Sequence, residues 1–196
     1  MNIFITWTSR WIWKFLKDNL QEHNIFDISG RSECDIWDFK KLKTYLKEKV
    51  PENVALDGLV LNAGFGLFGK FEDFDFADYQ ALINTNLLWN IAILKFLEKN
   101  LHPRTKIIFI GSIISKKFMK WASVYQASKF GLRGLAGGLK TEWKKIFIIN
   151  PKIVDTDFHK WKVCINPNWE KTSLESILES VKNILNGQER RFEIDI

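Results

Sequence analysis

The chain has 196 residues, is 46% hydrophobic and carries a formal net charge of +6. That length suits one domain, residues 1–196, with a sizeable core, and that hydrophobic fraction is typical of soluble globular proteins. The opening Met-Asn-Ile-Phe-Ile-Thr lacks the basic start and long apolar core of a signal peptide, and no apolar run approaches membrane-spanning length, so a cytoplasmic protein with no membrane partner is expected.

Cys34 and Cys164 show no metal-ligand spacing and read as free thiols in a reducing compartment, with no metal expected. The lysines are scattered along helix faces, as in Lys40-Lys41-x-Lys43, which argues for solvated faces rather than a nucleic-acid surface. A positive balance also suits a phosphate-rich cofactor. The outlying count is nine tryptophans, several among polar neighbours, as at Trp37, Trp161 and Trp169.

In chain order, residues 2–6 read as a buried strand. A turn, Thr6-Trp7-Thr8-Ser9-Arg10-Trp11-Ile12-Trp13, leads into a helix ending near Leu20. Residues 24–29 form a second strand that leaves through Ser29-Gly30-Arg31. Asp38 caps a helix over Phe39–Lys49. A strand over Leu56–Leu61 ends in Asn62-Ala63-Gly64, and Asp75–Asn100 is helical. The run from Ile107 to Ile110 is a buried parallel strand leading into Gly111-Ser112, and a helix follows to about Glu142. Ile146–Ile149 is a further strand, Ser173–Leu185 a helix, and Arg191–Ile196 alternates as a last edge strand. Alternating strands and helices argue for an α/β chain: a Rossmann-like, doubly wound parallel sheet with helices on both faces. Right-handed crossovers bring Asn62, Ser112 and Tyr125 to one edge, where ligands bind in such sheets.

The chemistry concentrates in Ser112–Lys129. Tyr125 and Lys129 are four residues apart and share a helix face. An ammonium there favours phenolate and is expected to pull the Tyr125 pKa down from ~10 towards the range of a general acid/base. A hydroxyl at Ser112 can polarise a carbonyl oxygen while Tyr125 moves the proton. Ser112 at a strand end, Tyr125 thirteen positions later, then Ala127-Ser128-Lys129: this text resembles the short-chain dehydrogenase/reductase family.

The resemblance covers nearly the whole chain and implies an oxidoreductase that interconverts an alcohol and a carbonyl with NADP(H), NAD being possible. It implies a small-molecule substrate and pairing into a homodimer or homotetramer. Tyr125 becomes the acid/base, and Lys129 depresses its pKa and holds the nicotinamide ribose. Ser112 stabilises the substrate oxygen, and Asn86 holds a water that relays protons from Lys129. Around the cofactor it places Thr6, Ser9, Arg10 and Ile12 in the phosphate turn, and Asp35 and Ile36 at the adenine edge on a short third strand. Asn62, Ala63 and Gly64 lie at a strand end, and Val154 and Thr156 face the carboxamide. Arg31, with Arg10, would suit a 2′-phosphate.

One departure is severe. The family's Thr-Gly-x-x-x-Gly-x-Gly turn carries Trp7, Trp11 and Trp13 here, and Trp89 and Trp121 also stand at family glycine positions. Those glycines serve a tight turn, close approach of backbone to the pyrophosphate, and helix packing. Either the chain is a non-catalytic scaffold that has lost the cofactor, or UGA codons, read as Trp in some genetic codes and Gly in others, encode glycine. Five of nine tryptophans on family glycines favour miscoding, and UGG codons at all nine would exclude it.

Overall fold

The computed structural model of the chain describes residues 1–7, 11–29, 38–142, 145–154 and 170–196. Strand β1 (Asn2–Thr6) is followed by α1 (Trp11–Asp18), β2 (Asn24–Ile28), α2 (Phe39–Lys49) and β3 (Gly58–Leu61). Next come α3 (Phe76–Ile83), a π-helical turn at Asn84–Leu88 and α4 (Trp89–Phe96), so the single helical region expected there has a widened turn in its middle. The chain continues with β4 (Lys106–Ile110), α5 (Ser123–Glu142), β5 (Ile146–Asn150), β6 (Ile153–Val154), β7 (Lys171–Thr172), α6 (Leu174–Leu185) and β8 (Glu193–Asp195). The short strand expected near Cys34 lies outside the described residues.

Six strands form one sheet in the order β2-β1-β3-β4-β5-β8, and β6 pairs with β7 apart from it. Every pairing in the large sheet is parallel. The chain steps outward from β1 to β2, then returns to β3 on the other side of β1. That reversal opens a crevice at the C-terminal edge, where doubly wound sheets hold ligands.

Period two decides which residues face which helices. Phe4, Leu59, Leu61, Ile107, Phe109, Ile146 and Ile148 pack with residues of α2, α4 and α5. The alternate residues Ile3, Ile5, Val60, Ile108, Ile110 and Ile149 pack with Leu16 of α1 and Val181, Ile184 and Leu185 of α6. Strands buried on both faces must be apolar throughout, which is why β3 and β4 read as unbroken hydrophobic runs.

Side chains fix the helix ends. Asp38 accepts from the Lys40 and Lys41 amides at 3.0 and 3.1 Å, and Ser173 caps α6 through the Ser176 amide at 3.1 Å. Helix α6 ends at Gly187, whose φ of +77° lets the Gln188 amide reach the Asn183 carbonyl at 2.9 Å. Gly111, between β4 and Ser112, admits no side chain: a Cβ there would lie 2.3 Å from the Asn150 amide oxygen.

Candidate active site

The loop after β4 and the start of α5 carry the candidate groups Ser112, Tyr125 and Lys129. Beyond Gly111 the chain turns at Ser112, whose Oγ accepts from the Ile114 amide at 3.3 Å and which hydrogen-bonds the Tyr125 phenol. Tyr125, the third residue of α5, is 6% exposed, and Lys129 one turn on is 5% exposed. The Lys129 Nζ donates to the Ile110 carbonyl at 3.2 Å and stands 6.0 Å from the centre of the Tyr125 ring.

Burial dominates the protonation of both groups. It pushes the Tyr125 phenol well above its ordinary value, with the Ser112 hydrogen bond opposing, and it pulls Lys129 down from 10.5 to about 8. The sequence led us to expect Lys129 to lower the Tyr125 pKa. In the closed site the direction is reversed, because removal from water outweighs an ammonium that is itself desolvated.

The closure comes from the segment after β3. The Phe68 ring lies 5.1 Å from the Tyr125 ring at a tilt of 60°, and Phe68, Leu82, Ile114 and Ala122 form an apolar cluster around the tyrosine. The Gly69 amide donates to the Trp121 carbonyl at 2.8 Å, joining this segment to the loop before α5. Gln126 fastens that loop from α5: its Oε1 accepts from the Met119 amide at 2.9 Å and its Nε2 donates to the Met119 carbonyl at 2.6 Å.

Asn86 is fully buried in the π turn. Its Oδ1 accepts from the Phe65 amide at 2.9 Å, while its Nδ2 donates to the Phe65 carbonyl and to Ser128 Oγ, each at 2.9 Å. Ser128 Oγ in turn donates to the Tyr125 carbonyl at 2.7 Å. Each hydrogen-bonding atom of the Asn86 side chain is thus engaged in joining the 64–65 segment to α5. The Asn86 carbonyl, for its part, accepts from Asn90 Nδ2 at 2.8 Å. π turns recur where a helix must present one residue out of phase, often at functional sites.

Ser128, Gln126 and Phe68 had no individual role in the sequence reading. Ser128 lies inside Tyr-Gln-Ala-Ser-Lys, three residues after Tyr125 and on its face of the helix, and that spacing was the available signal. Nothing local marked Phe68 or Gln126.

The expected cofactor contacts divide into three groups. Thr6 is fully buried, and its Oγ1 accepts from the Asn62 and Ala63 amides at 2.8 and 3.1 Å, locking the ends of β1 and β3 together. Gly64 is where the backbone passes close to the site: a Cβ would sit 3.2 Å from Asn86 Oδ1 and 3.6 Å from Lys129 Nζ. Ile12 packs half-buried on the α1 side of the core, and Val154 is buried in β6 opposite Thr172. Lys152, next to β6, is ion-paired with Glu170. Ser9, Arg10, Arg31, Asp35, Ile36 and Thr156 lie outside the described residues.

Three tryptophans of the glycine-like set are described in full. Trp7 and Trp121 have φ of +62° and +61° and are the two non-glycine residues with positive φ among the described residues. That region favours glycine and costs an aromatic residue about 1–2 kcal/mol. Trp89 is buried with an indole Nε1 that finds no partner among the described residues, and the Trp7 ring meets it edge-on at 6.2 Å. The Trp7 ring therefore turns into the core rather than out over the crevice.

A sequence model of a family described as short chain dehydrogenase matches residues 16–163. The sepiapterin reductase of Chlorobaculum tepidum is 32% identical over 123 residues, 62% of this chain and 48% of that protein. The 3-ketodihydrosphingosine reductase of Bos taurus is 28% identical over 163 residues, 79% of this chain and 49% of that protein. The chain thus spans about half the length of these curated relatives. Among solved structures, a blue fluorescent protein from a metagenomic library, in complex with NADPH, superposes with a TM-score of 0.84. It is 18% identical and aligns with all of this chain and 95% of its own, a likeness of fold.

Proposed function

The chain belongs to the short-chain dehydrogenase family, and we propose that it interconverts an alcohol and a carbonyl by NAD(P)-dependent hydride transfer, with NADP(H) as the favoured cofactor. The observation that carries this reading is the buried Tyr125–Lys129 pair, with Ser112 hydrogen-bonded to the phenol at the C-terminal edge of a parallel sheet. The reductase names of its relatives and the NADPH bound to a structural neighbour support it. Arg10 and Arg31 favour a 2′-phosphate over a bare ribose.

The residues present suit the nicotinamide end of such a cofactor, because Gly64 leaves beside Lys129 a space that a Cβ would fill. Lys129 and Tyr125 would hold the ribose, and Asn62, Ala63, Gly64 and Val154 would line the ring. When bound, the cofactor supplies or accepts the hydride. Ser112 holds the substrate oxygen against the phenol. Tyr125, kept protonated by burial, gives its proton to that oxygen in the reducing direction and recovers it in the other. Lys129, with a pKa near 8, exchanges its own proton close to neutral pH and restores the phenol. Asn86 acts as a positioning residue, holding the 64–65 segment and α5 in register.

A second reading, a non-catalytic scaffold, draws support from the sequence: Trp7, Trp11 and Trp13 stand where the family's phosphate turn carries glycine. Turnover separates the two. NADPH oxidation is followed with aliphatic and aromatic ketones, in the chain as written and in a Trp7→Gly, Trp11→Gly, Trp13→Gly background. Tyr125→Phe is expected to lower turnover by about 10²–10⁴-fold, with a much smaller loss of cofactor affinity because Lys129 still holds the ribose. Full turnover by Tyr125→Phe would refute the mechanism.

A further inference from the structure

The N-terminal edge of the sheet, opposite the Ser112–Tyr125 edge, holds a cleft of about 420 Å³ lined by residues that hydride transfer does not use. We propose that this cleft binds a small organic anion: a phosphate, sulfonate or carboxylate carried on a flat apolar body.

Its size falls within the ~300–1,000 Å³ of small-molecule sites. Its walls carry Lys106, Lys140, Lys145 and Arg190 against one carboxylate, Glu189. That carboxylate is already taken. Arg191 donates to it through Nε at 3.1 Å and Nη2 at 2.6 Å, and the Arg190 and Arg191 amides reach it at 2.8 Å. Glu189 therefore cannot also balance the Lys145 ammonium and the Arg190 guanidinium.

Lys106 and Lys140 have a structural reason to be there. Lys106 Nζ donates to the Leu185 carbonyl at 2.9 Å, at the end of α6, and Lys140 sits in the last turn of α5 with Nζ 6.0 Å from the centre of the Phe147 ring. Basic residues are favoured at helix C-termini, so these two would be explained without a ligand. Lys145 and Arg190 are not: both are exposed and both lie outside any helix. They line the same cleft as the first pair, together with the buried Phe147 and Ile184. Cations beside aromatic and apolar side chains recognise charge and a flat apolar surface together.

The probe is 8-anilinonaphthalene-1-sulfonate, which carries one sulfonate on aromatic rings, read by its fluorescence on the full chain, with inorganic pyrophosphate as competitor. The expected result is saturable one-to-one binding that Lys145→Ala with Arg190→Ala weakens at least tenfold. A charge-matched control, Lys40→Ala with Lys47→Ala on α2, should leave it unchanged, and pyrophosphate should compete only weakly. Circular dichroism checks that both variants fold, as exposed positions predict. Equal affinity in all three proteins would overturn the proposal by placing the probe elsewhere, and so would a signal that never saturates. The readout involves no turnover, so it stands or falls apart from the hydride-transfer reading.

Discussion

At the Tyr125 end of the crevice, Asn86, Phe65, Ser128 and Tyr125 are tied by hydrogen bonds of 2.7–2.9 Å, and every polar atom of the Asn86 side chain has a partner. At the β1 end, Trp7 holds a φ of +62° and meets a buried Trp89 whose indole nitrogen has no partner among the described residues. The first region is shaped by side chains that choose their backbone. In the second, the crossover from β1 dictates the backbone, and the side chain is carried along at a cost. The same holds at Trp121, with φ +61° and 60% exposure. Where a fold sets the backbone and the residue disagrees, the residue is the suspect. That observation adds a conformational argument for glycine at positions 7 and 121 to the one drawn from motif alignment.

The contrast can be broken most forcefully at Asn86. Asn86→Ala leaves the Phe65 amide and carbonyl unpaired, so unfolding free energy should drop by about 2–4 kcal/mol. A denaturant titration reads this directly, and a loss below measurement error would mean the clamp is not what orders the Tyr125 end.

The protonation of Lys129 gives a smaller, pH-dependent test. Its folded pKa of about 8 lies below the ordinary 10.5, so between those values the unfolded chain holds the proton more tightly. The stability this group contributes is full above 10.5 and is lost as pH falls towards 8. Tyr125 works in the opposite sense, its raised pKa eroding stability above ~10, so pH 8–10 isolates the lysine. Across that window the chain should gain about 1–2 kcal/mol relative to Lys129→Met. Parallel pH profiles would show that Lys129 is not desolvated.

The smallest effect is at the other end of the comparison. Trp121→Gly should stabilise the fold by about 0.5–1 kcal/mol, the relief of left-handed strain less the entropy that glycine adds to the unfolded chain. Trp121→Ala should gain nothing, because alanine meets the same penalty. An equal gain from both would put the cost in the indole rather than in the backbone.

Much of the fold was legible because its signals are local. Helix Phe39–Lys49 follows from Asp38 and its spacing, and β4 from a run that is apolar on both faces. What escaped was non-local. The reversed shift of Tyr125 depends on Phe68, 57 residues away in the chain, closing over the ring. The Asn86 clamp joins partners 21 and 42 residues apart, and no periodicity announces it. The π turn is a one-residue widening inside a helix that the sequence pattern does not mark. The glycine-like tryptophans were visible in the sequence as misplaced residue types, but their left-handed backbones are a property of the fold.

The most direct test of the account is an NADPH titration of two purified proteins, the chain as written and its Trp7→Gly, Trp11→Gly, Trp13→Gly variant, both checked for folding. The glycine variant is expected to bind at least tenfold more tightly, since Ser112, Tyr125 and Lys129 are the same in both proteins and only the phosphate turn differs. Equal binding by the two would contradict the argument from the turn. Two folded proteins that both fail to bind would contradict the cofactor-dependent reading and leave the scaffold.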